Sequence, residues 1–328
     1  MNFKHAQYVL TIVQEGSFTA AAKKLYLSQP SLSQTIKQLE TSLGIPIFNR
    51  ASGTLKLTHA GKRYVECARQ IMRIYENLLL EIEDMKTEVY GKLRLGVTMQ
   101  RGMRILPQVI PLFVEKYPHV EINLFEFGSD KLESMVEEGI CDIALVTTSP
   151  KVNHLEYTLI RNELLVLMAS KTTAFAQKYA EGMQINIADA ADENFVALKP
   201  GHSVRVLQDR LFSRYRISPR ILVESDSFET AKQIAARSNA VMITPSVYID
   251  TVPELRAMVK CYPIQHDDAE RHFYLCYRKG MHVTRYMRDL LTMVQEKTST
   301  LFPDIWSETN TSNEETAIPP ADFSPLQS

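Results

Sequence analysis

Several things are scarce or missing in this chain of 328 residues, and each absence removes a class of function. No run is long and apolar enough to span a membrane. Tyr8 to Val13 is too short for a signal peptide, and Glu15 follows at once. The expectation is therefore a cytoplasmic protein with no membrane partner and reduced thiols. There are four cysteines, Cys67, Cys141, Cys261 and Cys276, which read as small residues of helix and strand. Cys261, His266, His272 and Cys276 can be drawn as a zinc set, but their spacing fits no standard site. No nucleophile elbow, Walker loop, HExxH or GxGxxG occurs, so catalytic residues, metal and cofactor are all expected to be none. Acid pairs such as Glu137-Glu138 read as solvated helix surface, since adjacent helical residues do not face one another.

Acid is also missing locally. None occurs between Glu15 and Glu40, a gap that holds Lys23, Lys24 and Lys37. Phe18 to Leu25 reads as a short Ala-rich helix with Ser17 as its N-cap. Tyr26 and Leu27 make a turn, Ser28 is the next N-cap, and Pro30 lies in a first turn that tolerates it. Leu32, Ile36, Leu39 and Leu43 then recur on one helical face. Pro30, Ser33, Gln34 and Lys37 point the other way, a polar face suited to base edges in a major groove. The alternative is an ordinary surface helix, which usually mixes Glu with Lys.

Phe3, Ala6, Leu10 and Val13 form the stripe of a preceding helix that closes a three-helix core. Ile47 to Arg50 and Thr54 to Leu57, around Ala51-Ser52-Gly53, read as a β-hairpin. A hairpin in this position is a wing, from which Arg50 and Lys56 reach phosphate or the minor groove. Residues 1–63 hold eight Lys/Arg against two Asp/Glu, a net of +6 in a chain of −1. That concentration is the footprint of phosphate binding.

Gly16-Ser17-Phe18-Thr19-Ala20-Ala21-Ala22, Leu25, Ser28-Gln29-Pro30-Ser31-Leu32-Ser33, Ile36, Leu39-Glu40, Leu43-Gly44, Ile47-Phe48, Arg50 and Leu57-Thr58-His59-Ala60-Gly61 resemble the N-terminal signature of LysR-type transcriptional regulators. The match is collinear, and the rest of the chain follows that family's plan. The resemblance implies a sequence-specific, double-stranded-DNA-binding regulator of bacterial transcription, associated with the nucleoid and working with RNA polymerase. Its DNA-binding set here is Gln29, Pro30, Ser31, Ser33, Gln34, Lys37, Arg50, Thr54 and Lys56.

Thr58 caps a long helix running to about Thr87. Val65, Ala68, Met72, Tyr75, Leu79 and Ile82 recur as three, four, three, four, three, the a/d seam of a coiled coil. Packing on its own domain is the other reading of such a stripe. The resemblance makes it the dimerisation helix, so the protein is expected as a dimer or tetramer on a roughly two-fold-symmetric site.

About 210 residues follow, enough for more than one lobe. Strands at Lys92–Val97, Val120–Phe127 and Asp142–Val146 alternate with helices at Leu106–Glu115 and Asp130–Glu138. The alternation resumes through Asn194–Leu198, Val204–Tyr215, Arg220–Val223, Phe228–Ser238 and Ala240–Thr244. Strands at Val259–Pro263 and Phe273–Tyr277 follow, with a last helix from about His282 to Glu296. This pattern predicts an α/β fold with a mostly parallel sheet.

The resemblance sharpens that to a two-lobed effector domain like a periplasmic binding protein. The full layout is a winged helix-turn-helix (1–58, with the helix-turn-helix at about 18–37), a linker helix (59–90) and the effector domain (91–302). Lobe one is about 91–162 and 267–300; lobe two is about 163–266, with Glu163 to Ala169 as the first crossover. Ligands of open α/β sheets sit beyond the carboxyl ends of strands, at helix N-termini. That rule selects Thr98, Met99, Gln100, Arg101, Thr147, Thr148, Lys199 to Arg205 and Asp226 to Phe228. The effector set is Thr98, Met99, Gln100, Arg101, Thr147, Thr148, His202, Ser203, Arg205 and Phe228, and its arginines suit an anionic small molecule. Solvated loop residues are the alternative for each. Many family members carry a Gly-rich turn where Ser238-Asn239 stand, and Asn tolerates the left-handed conformation such a turn needs.

Two other classes compete: a small-molecule binding protein whose N-terminal helices serve assembly, and an enzyme on the same scaffold. Some peroxide-sensing relatives use a cysteine pair in this domain, but nothing here marks a low-pKa thiol. The tail, 303–328, has five acids, no Lys or Arg and four prolines, and is expected to be disordered.

Overall fold

A computed structural model describes residues 2–49, 55–85, 89–147, 150, 152–249, 253–265 and 270–301. Arg50, Thr54, Thr148, His266 and the tail 303–328 lie outside the described residues, as does the expected return to lobe one near 267. The chain forms two compact units, Met1–Glu88 and Val89–Ser328.

In the first unit, α1 (Phe3–Glu15), α2 (Phe18–Lys24) and α3 (Gln29–Leu43) are capped by the side chains of Asn2, Ser17 and Ser28. The buried face of α1 is Ala6, Val9 and Ile12, with Leu10 and Val13 only partly covered. It is therefore rotated from the stripe expected from spacing, because helix neighbours on two sides select a different set of apolar positions. The turn after α2 has Tyr26 at φ 55°. Leu27 N–H donates to Ala22 O at 2.9 Å and Tyr26 N–H to Lys23 O at 3.2 Å. This is the pattern that usually ends in glycine.

The hairpin strands β1 (Phe48–Asn49) and β2 (Lys56–Leu57) pair antiparallel, Phe48 with Leu57 and Asn49 with Lys56. The long helix α4 (His59–Asp84) follows. Its start explains the Leu57–Gly61 motif. The Thr58 hydroxyl accepts from Gly61 N–H at 2.9 Å and donates to Pro46 O at 2.6 Å. A Cβ on Gly61 would lie 2.1 Å from Ile47 O, so only glycine lets helix and wing approach this closely.

The second unit contains β3 (Gly91–Val97), α5 (Met99–Lys116), β4 (Val120–Glu126), α6 (Ser129–Glu137), β5 (Ile143–Val146) and β6 (Leu155–Ser170). It continues with α7 (Ala174–Lys178), β7 (Phe195–Leu198), α8 (Ser203–Tyr215), β8 (Ile221–Ser225), α9 (Phe228–Arg237) and β9 (Val241–Pro245). The last elements are α10 (Pro253–Met258), β10 (Val259–Pro263), β11 (Glu270–Arg278) and α11 (Arg285–Leu301). The strand order is β4-β3-β5-β11-β6-β9-β7-β8, with β10 also on β6.

Pairs β3–β4, β3–β5, β7–β8 and β7–β9 are parallel; every pair involving β6 or β11 is antiparallel. So each lobe has a parallel centre, and two long strands join them. The stretch of β6 from Leu155 to Leu164 pairs with β11, with a register shift that leaves Ile160 unpaired, and the stretch from Leu165 to Ser170 pairs with β9 and β10. Lobe two surrounds a core that includes Leu165, Leu167, Phe195, Leu211 and Ile243.

Two differences from the sequence reading have simple causes. Helix α5 starts seven residues before Leu106, and Pro107 and Pro111 lie inside it. The two prolines are spaced four apart on the exposed face, where water can satisfy the freed carbonyls. Ser238 has φ −116°, and Tyr26 and Arg216 are the only non-glycine residues at positive φ among the described residues. The turn before β9 is thus extended and needs no left-handed residue at Ser238 or Asn239.

Candidate DNA interface and interlobe site

On α3, Leu32, Ile36 and Leu39 face the core, which leaves the other face outward. Gln29, Pro30, Ser31, Gln34 and Lys37 are exposed and Ser33 is half-buried. Gln34, Lys37, Gln38, Thr41 and Ser42 line a surface depression. The one acid of α3, Glu40, is turned to a structural task. Its Oε1 accepts from the N–H groups of Ile47 and Phe48 at 2.8 and 3.0 Å, which fixes where the wing begins. The outward face is therefore free of negative charge. Lys56 on the wing is exposed.

The expected a/d seam divides in two. Val65 and Ala68 are buried in the core of the first unit, together with Ala6, Val9 and Phe48, and cannot meet a second chain. Spacing could not reveal this, because the same stripe serves α1 first and solvent later. Beyond it, Ile71, Ile74, Tyr75, Leu78, Leu79, Ile82 and Met85 are exposed, although Tyr75 also touches Phe3, with ring centroids 4.4 Å apart.

In the second unit the sequence-selected loops meet between the lobes. Thr147 follows β5, and its N–H donates to Ser129 Oγ at the start of α6, 3.0 Å away. The Thr147 hydroxyl lies 3.3 Å from Ser203 Oγ at the start of α8, which joins lobe one to lobe two. Gln100 Nε2 reaches Glu229 on α9 at 3.5 Å, a second link across. The helix N-termini at this site, those of α5, α6 and α8, have Thr98, Gly128 and His202 as N-caps and no side-chain cap. The Thr98 hydroxyl is buried without a hydrogen-bond partner. The N-terminus of α9, which reaches the site through Glu229, is capped by Ser227, and α7, elsewhere in lobe two, by Thr173.

The charged residues are arranged differently from the sequence expectation. Arg101 is fully buried, ion-pairs with Glu163 and stacks over the Phe273 ring at 4.0 Å. Arg205 is held within its own lobe by Asp209 at 2.7 Å, Glu224 and Leu198 O. Met99 is exposed, and Phe228 packs edge-on against Tyr248 at 5.1 Å.

Sequence reasoning did not select Arg271, Ser129, Lys232, Glu229 or Tyr248, and it named Glu163 only as a crossover boundary. Arg271 stands opposite Glu163 in the β6–β11 register. Opposed charges on two strands expected to cross were the available signal. Lys232 is buried, pairs with Glu229 at 2.8 Å and donates to Tyr248 O at 3.0 Å. Burial draws its pKa below the usual lysine value despite Glu229, and the ammonium in turn lowers that of Glu229. Cys276 is buried beside the lobe-one sheet and Cys261 in the core of lobe two, so the drawn zinc set is split between two cores.

A DNA-reading helix with a wing, followed by two crossed α/β lobes, defines a DNA-binding regulator with a ligand-binding type of domain. Comparison with known proteins agrees. Residues 3–62 match the bacterial regulatory helix-turn-helix protein, lysR family, and residues 86–299 match the LysR substrate binding domain. The uncharacterized HTH-type transcriptional regulator YcgK of Bacillus subtilis is 30% identical over 75% of this chain and 81% of its own length. The regulator BsdA of the same organism is 29% identical over 76% of this chain and 85% of its own.

Among solved structures, a full-length OxyR variant from Pseudomonas aeruginosa superposes with a TM-score of 0.67 at 20% identity, covering 91% of this chain and 95% of that one. Full-length CbnR complexed with its target DNA gives 0.52 at 21%, covering 90% and 100%. At these identities the structures establish a shared fold. The chain belongs to the LysR-type transcriptional regulator family: it is a DNA-binding transcriptional regulator with an effector-binding domain, and not an enzyme.

Proposed function

We propose that the protein reads a roughly two-fold-symmetric DNA site as a dimer or dimer of dimers, under control of a small anionic effector held between the lobes. The observation that carries the DNA reading is the outward face of α3, with Gln34 and Lys37 exposed and Glu40 occupied by the wing amides. Ser33 and Gln34 contact base edges; Lys37, Gln29, Ser31 and Lys56 position the phosphate backbone, with Pro30 shaping the helix start. Arg50 and Thr54, which lie outside the described residues, belong to the same proposed DNA-contacting set. The exposed stripe from Ile71 to Met85 is the face that a second copy covers. CbnR, seen with its target DNA, supports the DNA reading by likeness of fold.

The effector reading rests on the three uncapped helix N-termini and the buried Thr98 hydroxyl at the interlobe site, with Gln100, Thr147, His202 and Ser203 around them. An effector that binds one arrangement of the lobes better than another shifts the regulator toward it. The test is binding-site selection from fragmented genomic DNA at physiological salt, with Gln34→Ala beside wild type. A symmetric motif should emerge, and the substitution should weaken binding to it by roughly 5- to 100-fold, the ~1–3 kcal/mol of a bidentate base contact. Salt-sensitive binding with no motif would refute the sequence-reading role.

A further inference from the structure

The guanidinium of Arg271 has one side met by an acid and another that meets no charge. Arg271 is 6% exposed and projects from β11, the strand that returns from lobe two to lobe one. Its Nη1 donates to Glu163 Oε2 at 3.3 Å, and the other oxygen of that carboxylate pairs with Arg101. Its Nη2 donates only to neutral oxygens, the Thr147 hydroxyl at 2.7 Å and the Ser203 hydroxyl at 3.2 Å. Its Nε is buried and has no hydrogen-bond partner. The Tyr248 ring lies 5.9 Å from the guanidinium carbon. Buried donors without acceptors are costly, and a buried guanidinium normally faces an anion.

We propose that the Nε/Nη2 edge of Arg271 is the anchor for the carboxylate of the effector, an inference that rests on the interlobe reading above. That edge is the side-on geometry in which arginine holds a carboxylate with two parallel N–H bonds. The two hydroxyls now satisfying Nη2 come from opposite lobes, Thr147 after β5 and Ser203 at the head of α8. A carboxylate set against that edge accepts from Nε and Nη2 of Arg271, and the two hydroxyls, released from Nη2, turn to donate to it. The lobes are then joined through the ligand instead of through the direct Thr147–Ser203 contact. Glu163 fixes the rotation of the guanidinium from its far side, and Ser129 fixes Thr147. Arg101 and Arg205, the arginines that the loop rule selects, have their charges met by Glu163 and by Asp209 with Glu224. An amide matched in shape to the carboxylate would turn N–H groups toward N–H groups and be refused.

The experiment uses the full-length protein in thermal melts and calorimetry at constant ionic strength. The probes are acetate, benzoate and succinate at millimolar concentration, the corresponding neutral amides, and inorganic phosphate. The expected result is stabilisation by at least one carboxylate and not by its amide. Arg271→Gln should weaken that binding by ~10-fold or more, and Arg271→Lys, a point charge without the fork, should fall between. Circular dichroism of both variants establishes that they fold. If carboxylate binding is equal in wild type and Arg271→Gln but lost in Ser203→Ala, the anchor is overturned and the interlobe reading stands. Stabilisation by phosphate alone overturns the carboxylate class. Silence of every probe overturns the proposal, whereas retained motif selection would leave the DNA-reading role intact.

Discussion

The two units of this chain handle charge in opposite ways. In the first, the face of α3 proposed to work is outside, and the nearby acid, Glu40, is spent on two backbone amides of the wing. In the second, Arg101, Glu163, Arg271 and Lys232 are buried. A surface that reads a polyanion needs exposed cations and no acid, because phosphate attraction is long-ranged and strengthens with their number. A site for one small molecule needs few charges, dried and oriented, because interactions there gain strength from the low dielectric. The cost differs too: the exposed Lys37 on α3 costs almost nothing in stability, whereas a buried ion cluster depends on every partner being present.

Substitutions on either side should break this contrast unequally. The largest effect is expected for Glu163→Gln, which leaves two neighbouring buried guanidiniums without their shared carboxylate. Loss of about 3–5 kcal/mol is expected in the second unit, measured by chemical denaturation followed with a probe in that unit. An effect below ~1 kcal/mol would show that the cluster is hydrated and not buried. Next is Gly61→Ala, whose Cβ would meet Ile47 O. Relaxing that clash should cost the first unit about 1–3 kcal/mol and weaken DNA binding, with the effector domain unaffected. The smallest effect concerns thiols. Cys67 is exposed, whereas Cys141, Cys261 and Cys276 are buried. Burial pushes the Cys141 thiol up to about 11, with Asp142 adding to the shift, and raises that of Cys276 further. A thiol reagent at pH 8 should therefore label one cysteine in the native protein and four after denaturation. Rapid native labelling of a second would place a reactive thiol in the effector domain.

The first unit was largely legible in its sequence because its signals are local. Ser17 and Ser28 cap helices three residues away, and Leu32, Ile36 and Leu39 face the core as their spacing requires. The failures there are failures of partner choice. The spacing of Val65 and Ala68 was correct for a helix stripe, but α1 and the wing cover them. In the effector domain, the loop rule led to Thr147 and Ser203, both of which stand at the interlobe contact. It also led to Arg101 and Arg205, whose charges turn out to be met inside the protein. No local signal separates Arg205, held by Asp209 and Glu224, from Arg271, whose Nη1 meets Glu163 but whose Nε finds no acceptor.

By itself, the sequence determined the order of elements, the caps and turns of the helix-turn-helix, the acid-free face of α3 and the family, because each depends on residues a few positions apart. Tertiary structure decided which apolar stripe was already covered and which buried cation, Arg271, kept an N–H without an acceptor. Arg271 meets Glu163 across 108 positions, Thr147 across 124 and Ser203 across 68. Only the pairing of β6 with β11 and the approach of the two lobes bring those groups within hydrogen-bond reach. Hydrogen bonds act over about 3 Å, so separations of that kind in the chain have no chemistry until the fold closes them.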